Sequence, residues 1–212
     1  MLNVVGGIIS SHWHGGYLSD FMKNFRALEM KSLLLVYGAL VLFSMMGDLF
    51  LHKNPFWAWK DSQPPSVGYI FIGASFVVLY VAFSSACTRI FKWGMEIEKI
   101  FRQVLTPLSY FQILVLSLLS GFVEEWFFRG LLTQAFGVIV SSMFFGLAHF
   151  IPAPFLWVWS VASFMVGLVF GLLYSHSHSL VLVALMHAGI NFLLLLKVNR
   201  EAHRAPSLPG MR

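Results

Sequence analysis

Charged residues are scarce in this chain of 212 residues. Lys, Arg, Asp and Glu make up 11% of it, whereas hydrophobic residues make up 58% and the mean hydropathy is +0.77. An ordinary soluble domain is about one quarter charged. This balance excludes a soluble globular domain, because most outward-facing side chains must be apolar. The sequence therefore predicts an integral membrane protein whose main solvent is lipid.

Cysteine and basic runs are lacking as well. Cys87 is the single cysteine, so the chain forms no intrachain disulfide and has no metal site built from cysteines. The formal net charge is +5, but the basic residues flank apolar segments and form no basic run with interleaved aromatic residues. We therefore expect no nucleic-acid partner.

Apolar segments of membrane-spanning length recur along the chain, and two amphipathic segments accompany them. They predict an all-α polytopic membrane helix bundle of about six transmembrane helices plus two amphipathic surface helices. The spans are expected at about 32–51, 66–88, 107–129, 138–150, 155–174 and 180–196, and the surface helices at about 18–28 and 91–105. Gly167 and Gly171 predict a small-residue face for close helix packing.

This pattern divides the chain into three parts. Residues 1–106 hold the first surface helix, two spans and a cytoplasmic amphipathic helix, residues 107–197 hold a four-span bundle, and residues 198–212 form a disordered cytoplasmic tail. Eleven basic residues lie on the side of the termini, against Lys53 and Lys60 on the other side. By the positive-inside rule, both termini are expected in the cytoplasm.

Three charged residues lie deep in the apolar half of the chain. From Gln103 to Leu196, only Glu124, Glu125 and Arg129 carry a charge. Glu125 and Arg129 are four apart and stack on one helix face as an ion pair, whereas Glu124 is rotated by about 100° from Glu125. Because a charge at membrane depth is costly, Glu124 is expected to face other helices.

Two further spans carry imidazoles at membrane depth. His149 ends the motif Phe-Gly-Leu-Ala-His, and His187 and Asn191 lie four apart on one face of the last span. At about 1.5 Å per residue, these side chains and Glu124 reach similar depths in the outer half of the bilayer. They predict one polar site if the third, fourth and sixth spans are neighbours.

The order Glu-Glu-x-x-x-Arg, Phe-x-x-x-His and His-x-x-x-Asn on successive membrane helices resembles the CPBP (Abi) intramembrane proteases, which include the type II CAAX prenyl endopeptidases. The resemblance covers about residues 107–196. It implies that Glu124 and His149 activate the attacking water, and that His187 and Asn191 stabilise the oxyanion. Hydrolysis of an amide requires both functions, a base for water and donors for the tetrahedral oxygen.

The resemblance also implies a supporting pair, Glu125 and Arg129, and raises the question of a metal. Glu124, His149 and His187 would make a familiar zinc set with an open position for water. We favour a glutamic-type reaction without a cofactor, because the three ligands lie on three helices and lack the His-Glu-x-x-His arrangement. Zinc is the alternative.

Substrate and location follow from the same resemblance and from topology. Prenyl endopeptidases typically have more spans, and the predicted site opens toward the outer face rather than the cytoplasm. We therefore expect an endopeptidase of a bacterial-type inner membrane that cleaves a membrane-bound or exported protein, with a C-terminal tail as one candidate. The alternatives are a non-catalytic membrane scaffold or immunity-type protein, and a proton-coupled transporter that uses Glu124 as its carrier.

Overall fold

A computed structural model describes residues 30–50, 56–105, 107–151 and 156–204, and all regular secondary structure in these ranges is helical. The predicted all-α polytopic bundle is confirmed, while the predicted surface helix at 18–28 lies outside the described residues. The α-helices are α1 (Met30–Phe50), α2 (Trp57–Lys60), α3 (Val67–Ile90), α4 (Lys92–Leu105), α5 (Tyr110–Leu119), α6 (Thr133–Ala148), α7 (Trp157–Ser177) and α8 (Leu180–Arg204). Two π-helical segments, Ser120–Glu124 and Trp126–Leu132, join α5 to α6.

Four helical stretches of the described residues are long and apolar enough to cross a membrane. They are Val67–Ile90, Tyr110–Ala148, Trp157–Ser177 and Leu180–Ala202, and α1 contributes a shorter apolar helix, Leu35–Phe50. Many large apolar side chains on these helices face outward, as expected where the solvent is lipid. The chain is an integral membrane protein, and the number of six spans stays a prediction.

The stretch Tyr110–Ala148 is a hairpin rather than one straight rod. Gly137 has φ 81° and ψ 171°, which breaks α6 internally. The Ser141 hydroxyl donates to the Phe128 carbonyl oxygen at 2.7 Å, although a straight helix would separate two such residues by about 20 Å. The chain therefore folds back at Gly137, which agrees with the predicted start of a separate segment near residue 138.

Two predicted helix ends were wrong. The third span begins at Tyr110 rather than at Pro107, because Ser109 and Gln112 form a capping box: the Gln112 backbone N–H donates to the Ser109 hydroxyl at 3.2 Å, and the Ser109 N–H donates to the Gln112 side chain at 2.8 Å. That reciprocal pair satisfies two backbone donors that otherwise lack partners at a helix start. At its other end the helix runs past Arg129 to the break at Gly137.

The last helix is also longer than predicted. α8 continues to Arg204, so the segment expected to be a disordered tail from residue 198 is helical that far; residues 205–212 lie outside the described residues. The Asn199 side chain is buried and exchanges two hydrogen bonds of 3.0 Å with the Leu108 backbone, as donor and as acceptor. This pairing ties the end of α8 to the start of α5.

The second predicted surface helix is present as α4, and the bundle shows why it is amphipathic. Its Ile97 and Ile100 are buried in an apolar cluster with Leu156, which directly precedes α7. Lys197 of α8 donates to Glu98 of α4 at 2.6 Å. α4 therefore rests on the bundle with its apolar face and is joined to the last helix by an ion pair.

Small residues let α6 and α7 approach closely, as predicted. A Cβ added at Gly167 would lie 3.2 Å from the Ser142 Cβ, and one added at Gly171 would lie 2.6 Å from a Val138 methyl carbon. Close backbone approach allows extensive van der Waals contact in lipid, where apolar burial supplies little driving force. This contact fixes the returning arm, and with it the position of His149.

Candidate active site

The acidic motif lies where the helix widens from α to π geometry. The two π-helical segments, which span residues 120–132, are interrupted at Glu125. π turns leave backbone groups out of the usual hydrogen-bond register, and they are frequent at functional sites. Here the Phe128 carbonyl oxygen accepts hydrogen bonds from two hydroxyl groups, Thr133 at 2.9 Å and Ser141 at 2.7 Å. The widened backbone is thus held by side chains on both arms of the hairpin.

Glu125 is the centre of a fully buried polar cluster. Its Oε1 accepts from Arg129 Nη1 at 2.9 Å and lies 2.7 Å from His187 Nδ1. Arg129 also donates to the Gly167 carbonyl oxygen of α7 at 3.2 Å. The sequence therefore anticipated the ion pair between Glu125 and Arg129, while the contact between Glu125 and His187 was not anticipated. The Glu125 carboxylate thus joins the acidic motif to α8, and Arg129 joins it to α7.

Close packing makes the contact with His187 possible. A Cβ at Gly121 would lie 2.5 Å from the Ala184 carbonyl oxygen and 2.8 Å from the Ala188 Cβ. Only glycine allows the π segment to approach α8 this closely. Gly121 therefore sets the distance between the acidic motif and the last helix.

Phe145 packs at the centre of the site. Its buried ring lies edge-on to that of His187 and tilted against that of His149, with centroids 5.7 and 4.5 Å away. The Arg129 guanidinium carbon lies 4.5 Å from the Phe145 ring centroid, within cation–π range. The ring therefore separates the buried ion pair from the more open part of the site.

Glu124 and His149 form that more open part. Glu124 Oε2 and His149 Nε2 lie 3.9 Å apart, and their side chains are 13% and 20% exposed, whereas that of Glu125 is fully buried. His149 Nδ1 lies 2.7 Å from the Phe145 carbonyl oxygen, so Nδ1 carries the proton and Nε2 faces Glu124 as an acceptor when the ring is neutral. Of the two glutamates, Glu124 is therefore the partly exposed one.

Asn191 reaches the acidic motif from α8 through a serine. Its Nδ2 donates to the Ser120 hydroxyl at 2.7 Å, and Ser120 donates in turn to the Ser117 carbonyl oxygen at 3.0 Å. One N–H of Asn191 is thereby engaged. His187 and Asn191, one turn apart, both direct their side chains at the motif-bearing helix.

Sequence reasoning missed three residues that touch this site. Tyr37 of α1 donates to Glu124 Oε1 at 3.2 Å, Ser120 accepts from Asn191, and the Trp159 ring lies 5.8 Å from that of His149. Tyr37 is part of an apolar span, and Ser120 and Trp159 belong to no recognisable motif. The one signal in the sequence for Tyr37 was its polar hydroxyl group at membrane depth.

Comparison with protein families supports the resemblance on which the site was first identified. Residues 106–193 match the family model Rce1-like, described as type II CAAX prenyl endopeptidase Rce1-like. The matched segment, which is less than half of the chain, is similar to this family. No match is found among curated proteins or among solved structures. The Rce1-like segment contains Glu124, Glu125, Arg129, His149, His187 and Asn191, and it supports an intramembrane endopeptidase of the CAAX type in general.

The donor arrangement of this Rce1-like site gives limited support for a metal. A carboxylate on Nδ1, as in His187, is the usual support of a histidine that binds a metal through its other nitrogen. However, no three His, Cys, Asp or Glu side chains of the described residues form a group that could hold a metal ion. In the alternative zinc set, Glu124 and His149 lie close together. The third member, His187, is directed at Glu125 instead.

Proposed function

We propose that this protein is an intramembrane endopeptidase that hydrolyses a peptide bond of a membrane-associated or exported protein. The observation that carries the proposal is the pair Glu124 and His149, which is partly exposed beside a fully buried ion-pair cluster. The match of residues 106–193 to the Rce1-like family supports the same reaction class. The site lies at membrane depth, so the substrate bond must reach it there.

Glu124 and His149 together activate the attacking water. Their separation of 3.9 Å is too long for a direct hydrogen bond and short enough for one water molecule bonded to both. Glu124 takes the proton as general base, and His149 orients the water and shares its proton. A correctly placed base of this kind contributes about 10²- to 10⁴-fold to the rate.

His187 and Asn191 stabilise the oxyanion that forms at the scissile carbonyl. Because His187 Nδ1 faces the Glu125 carboxylate, the ring is fixed with Nε2 as the atom that faces the oxyanion and donates to it. Asn191 gives one N–H to Ser120 and keeps the second for the same oxygen. Donors preorganised in this way are worth about 10²- to 10³-fold each.

The reaction proceeds without a metal, and the membrane is a bacterial-type inner membrane with both termini in the cytoplasm. The absence of a metal from the reaction is supported by the side chains of the site, in which a carboxylate supplies the base and imidazoles supply hydrogen-bond donors. The cytoplasmic position of the termini is supported by the basic residues, eleven of which lie on the side of the termini. A membrane-bound or exported protein, cleaved near a C-terminal tail, is the proposed substrate.

The test incubates the purified protein with membrane proteins of its source, for wild type, Glu124→Gln and His149→Gln. Both substitutions are expected to lower cleavage at least about 100-fold, because each removes a group that activates water. Glu96→Gln is the matched control, since Glu96 lies on the surface helix and pairs only at 3.9 Å with Lys99. Cleavage that survives both Glu124→Gln and His149→Gln would refute the proposal.

Two further arms of the experiment examine the chemistry. Strong chelator should leave the cleavage rate unchanged, and restoration of a chelator-sensitive rate by Zn²⁺ would instead establish the zinc alternative. Added hydroxylamine should yield no hydroxamate product, because water attacks directly and no acyl-enzyme forms. Trapping of a hydroxamate would show that a side chain rather than water attacks the peptide bond.

A further inference from the structure

A residue outside the family segment touches the candidate catalytic carboxylate. The Tyr37 hydroxyl of α1 donates to Glu124 Oε1 at 3.2 Å, whereas the family match begins at residue 106. The other oxygen of the same carboxylate, Oε2, is the one that faces His149. The two oxygens are therefore engaged by different partners on opposite sides.

The inward face of α1 carries polar groups beside the partly buried Val41 and Met45. The outward face of this helix is apolar and exposed, with Leu35, Leu42, Phe43 and Phe50. The polar residues follow one another at intervals of seven and four, which places them on one helix face: Tyr37, Ser44 and Asp48. Ser44 bonds to the Leu40 carbonyl oxygen of its own helix, so Tyr37 and Asp48 make the polar contacts with the bundle.

Asp48 anchors the far end of this face. It accepts from the indole N–H groups of Trp57 at 2.8 Å and Trp126 at 3.4 Å. A Cβ at the neighbouring Gly47 would overlap the Leu131 side chain, so α1 lies directly against the second π-helical segment. This anchor fixes the register of α1, and Tyr37 is thereby held three turns away, opposite Glu124.

We infer that Tyr37 is a positioning residue for the catalytic carboxylate, an inference that rests on the proposed function. The terminal torsion of a glutamate is broad and nearly two-fold, so a carboxylate bound on one side only samples many orientations. The hydroxyl of Tyr37 holds Oε1 and thereby keeps Oε2 turned toward His149 and the water between them. Small losses of alignment at a reacting group are costly in rate.

The inference predicts a change in the chemical step rather than in substrate binding. Tyr37→Phe keeps the ring and removes only the hydroxyl, so kcat should fall about tenfold, as expected for one hydrogen bond to a charged group. KM and the thermal unfolding midpoint should stay near wild type. Placing 4-aminophenylalanine at position 37 returns an N–H donor to the same point and should restore most of kcat, which a purely structural role for the ring would not predict.

Two control variants separate this inference from the proposed function. Tyr80→Phe, in α3 where the Tyr80 ring stacks on Phe76, should leave kcat unchanged. Glu124→Gln tests the base itself. If Glu124→Gln abolishes cleavage while Tyr37→Phe retains wild-type kcat, or changes KM alone, the role of Tyr37 is refuted and the proposed function stands. If Glu124→Gln retains cleavage, the role of Tyr37 fails, and the proposed function fails with it when His149→Gln retains cleavage as well.

Discussion

Two adjacent glutamates occupy different environments because one residue turns the helix by about 100°. Glu125 accepts from Arg129 and lies against His187 in a fully buried cluster, whereas Glu124 is partly exposed and lies beside Tyr37 and His149. Under the proposed function, these chemically identical side chains are divided between stability and reaction. This division leads to opposite expectations for the same substitution.

Glu125→Gln should destabilise the protein, and Glu124→Gln should not. Removing the Glu125 charge leaves the Arg129 cation buried without its counter-charge, which typically costs about 3–5 kcal/mol. Thermal unfolding in detergent measures the difference, with Glu124→Gln expected within about 0.5 kcal/mol of wild type. Equal losses of stability in the two variants would show that both carboxylates are structural.

At this scale the sequence revealed the residues of the motifs but not their partners. Spacing alone was sufficient to predict the ion pair between Glu125 and Arg129, because residues four apart on a helix lie on the same face. The contact between Glu125 and His187, and that between Glu124 and Tyr37, join residues far apart in sequence. Such contacts depend on how helices are arranged around one another, which local periodicity does not encode.

At the scale of elements, the hairpin depends on one glycine. Gly137 has φ 81° and ψ 171°, a region that is essentially restricted to glycine. A Cβ built at Gly137 or at Gly38 would meet no other atom of the described residues within 4 Å. The two positions therefore differ in backbone conformation and not in available space, which makes them a matched pair.

Gly137→Ala should lower the free energy of unfolding by about 1–3 kcal/mol, whereas Gly38→Ala should leave it unchanged or raise it by up to about 1 kcal/mol. The reason is that Gly38 lies within the helix α1, where alanine is the better residue. Thermal unfolding in detergent compares the two variants. A Gly137→Ala variant as stable as Gly38→Ala would contradict the hairpin.

The attachment of α4 to α8 should depend on pH. Burial alone would raise the pKa of Glu98, but hydrogen bonds with Glu201, Lys197 and Thr88 outweigh it and lower that pKa to about 2. An unpaired glutamate has a pKa of about 4.5. The part of this stabilisation that Lys197 and Thr88 supply to the Glu98 carboxylate is therefore complete above about pH 4.5 and is lost as the pH falls toward 2.

The unfolding midpoint of wild type should accordingly fall between about pH 4.5 and 2 by more than that of Glu98→Gln. Glu96→Gln, on the same helix but more exposed, should follow the wild-type curve. Parallel curves for wild type and Glu98→Gln would mean that the ion pair between Glu98 and Lys197 does not hold α4 on the bundle.

Helix positions were largely predictable from hydropathy, and helix ends were less so. The apolar runs predicted the ends of α1, α3 and α7 to within a few residues, and the amphipathic periodicity predicted α4. The start of α5 depended on the Ser109 capping box rather than on Pro107, and the length of α8 depended on the pairing of Asn199 with Leu108. The π-helical geometry from residue 120 to 132 follows from tertiary contacts and has no period of its own in the sequence.

At the scale of the whole molecule, charge and topology determine which side of the membrane the site faces. The turn between α7 and α8 lies at one end of the bundle with α2, since the Gln63 N–H donates to the His178 carbonyl oxygen at 2.9 Å. α4 lies toward the other end, where Lys197 meets Glu98. His187 is about 10 Å along α8 from its start at Leu180, so the site lies in the half nearer the turn.

From the positive-inside rule we propose that the end with α4 lies in the cytoplasm and the turn between α7 and α8 lies outside. Cys87, the single cysteine, is buried, so Cys87→Ala provides a background for labelling. A membrane-impermeant maleimide should label Lys60→Cys and His176→Cys in intact cells, and should label Lys99→Cys only after the membrane is opened, because these three positions are exposed at the two ends. The reverse labelling pattern would turn the site toward the cytoplasm and replace an exported substrate with a cytosolic one.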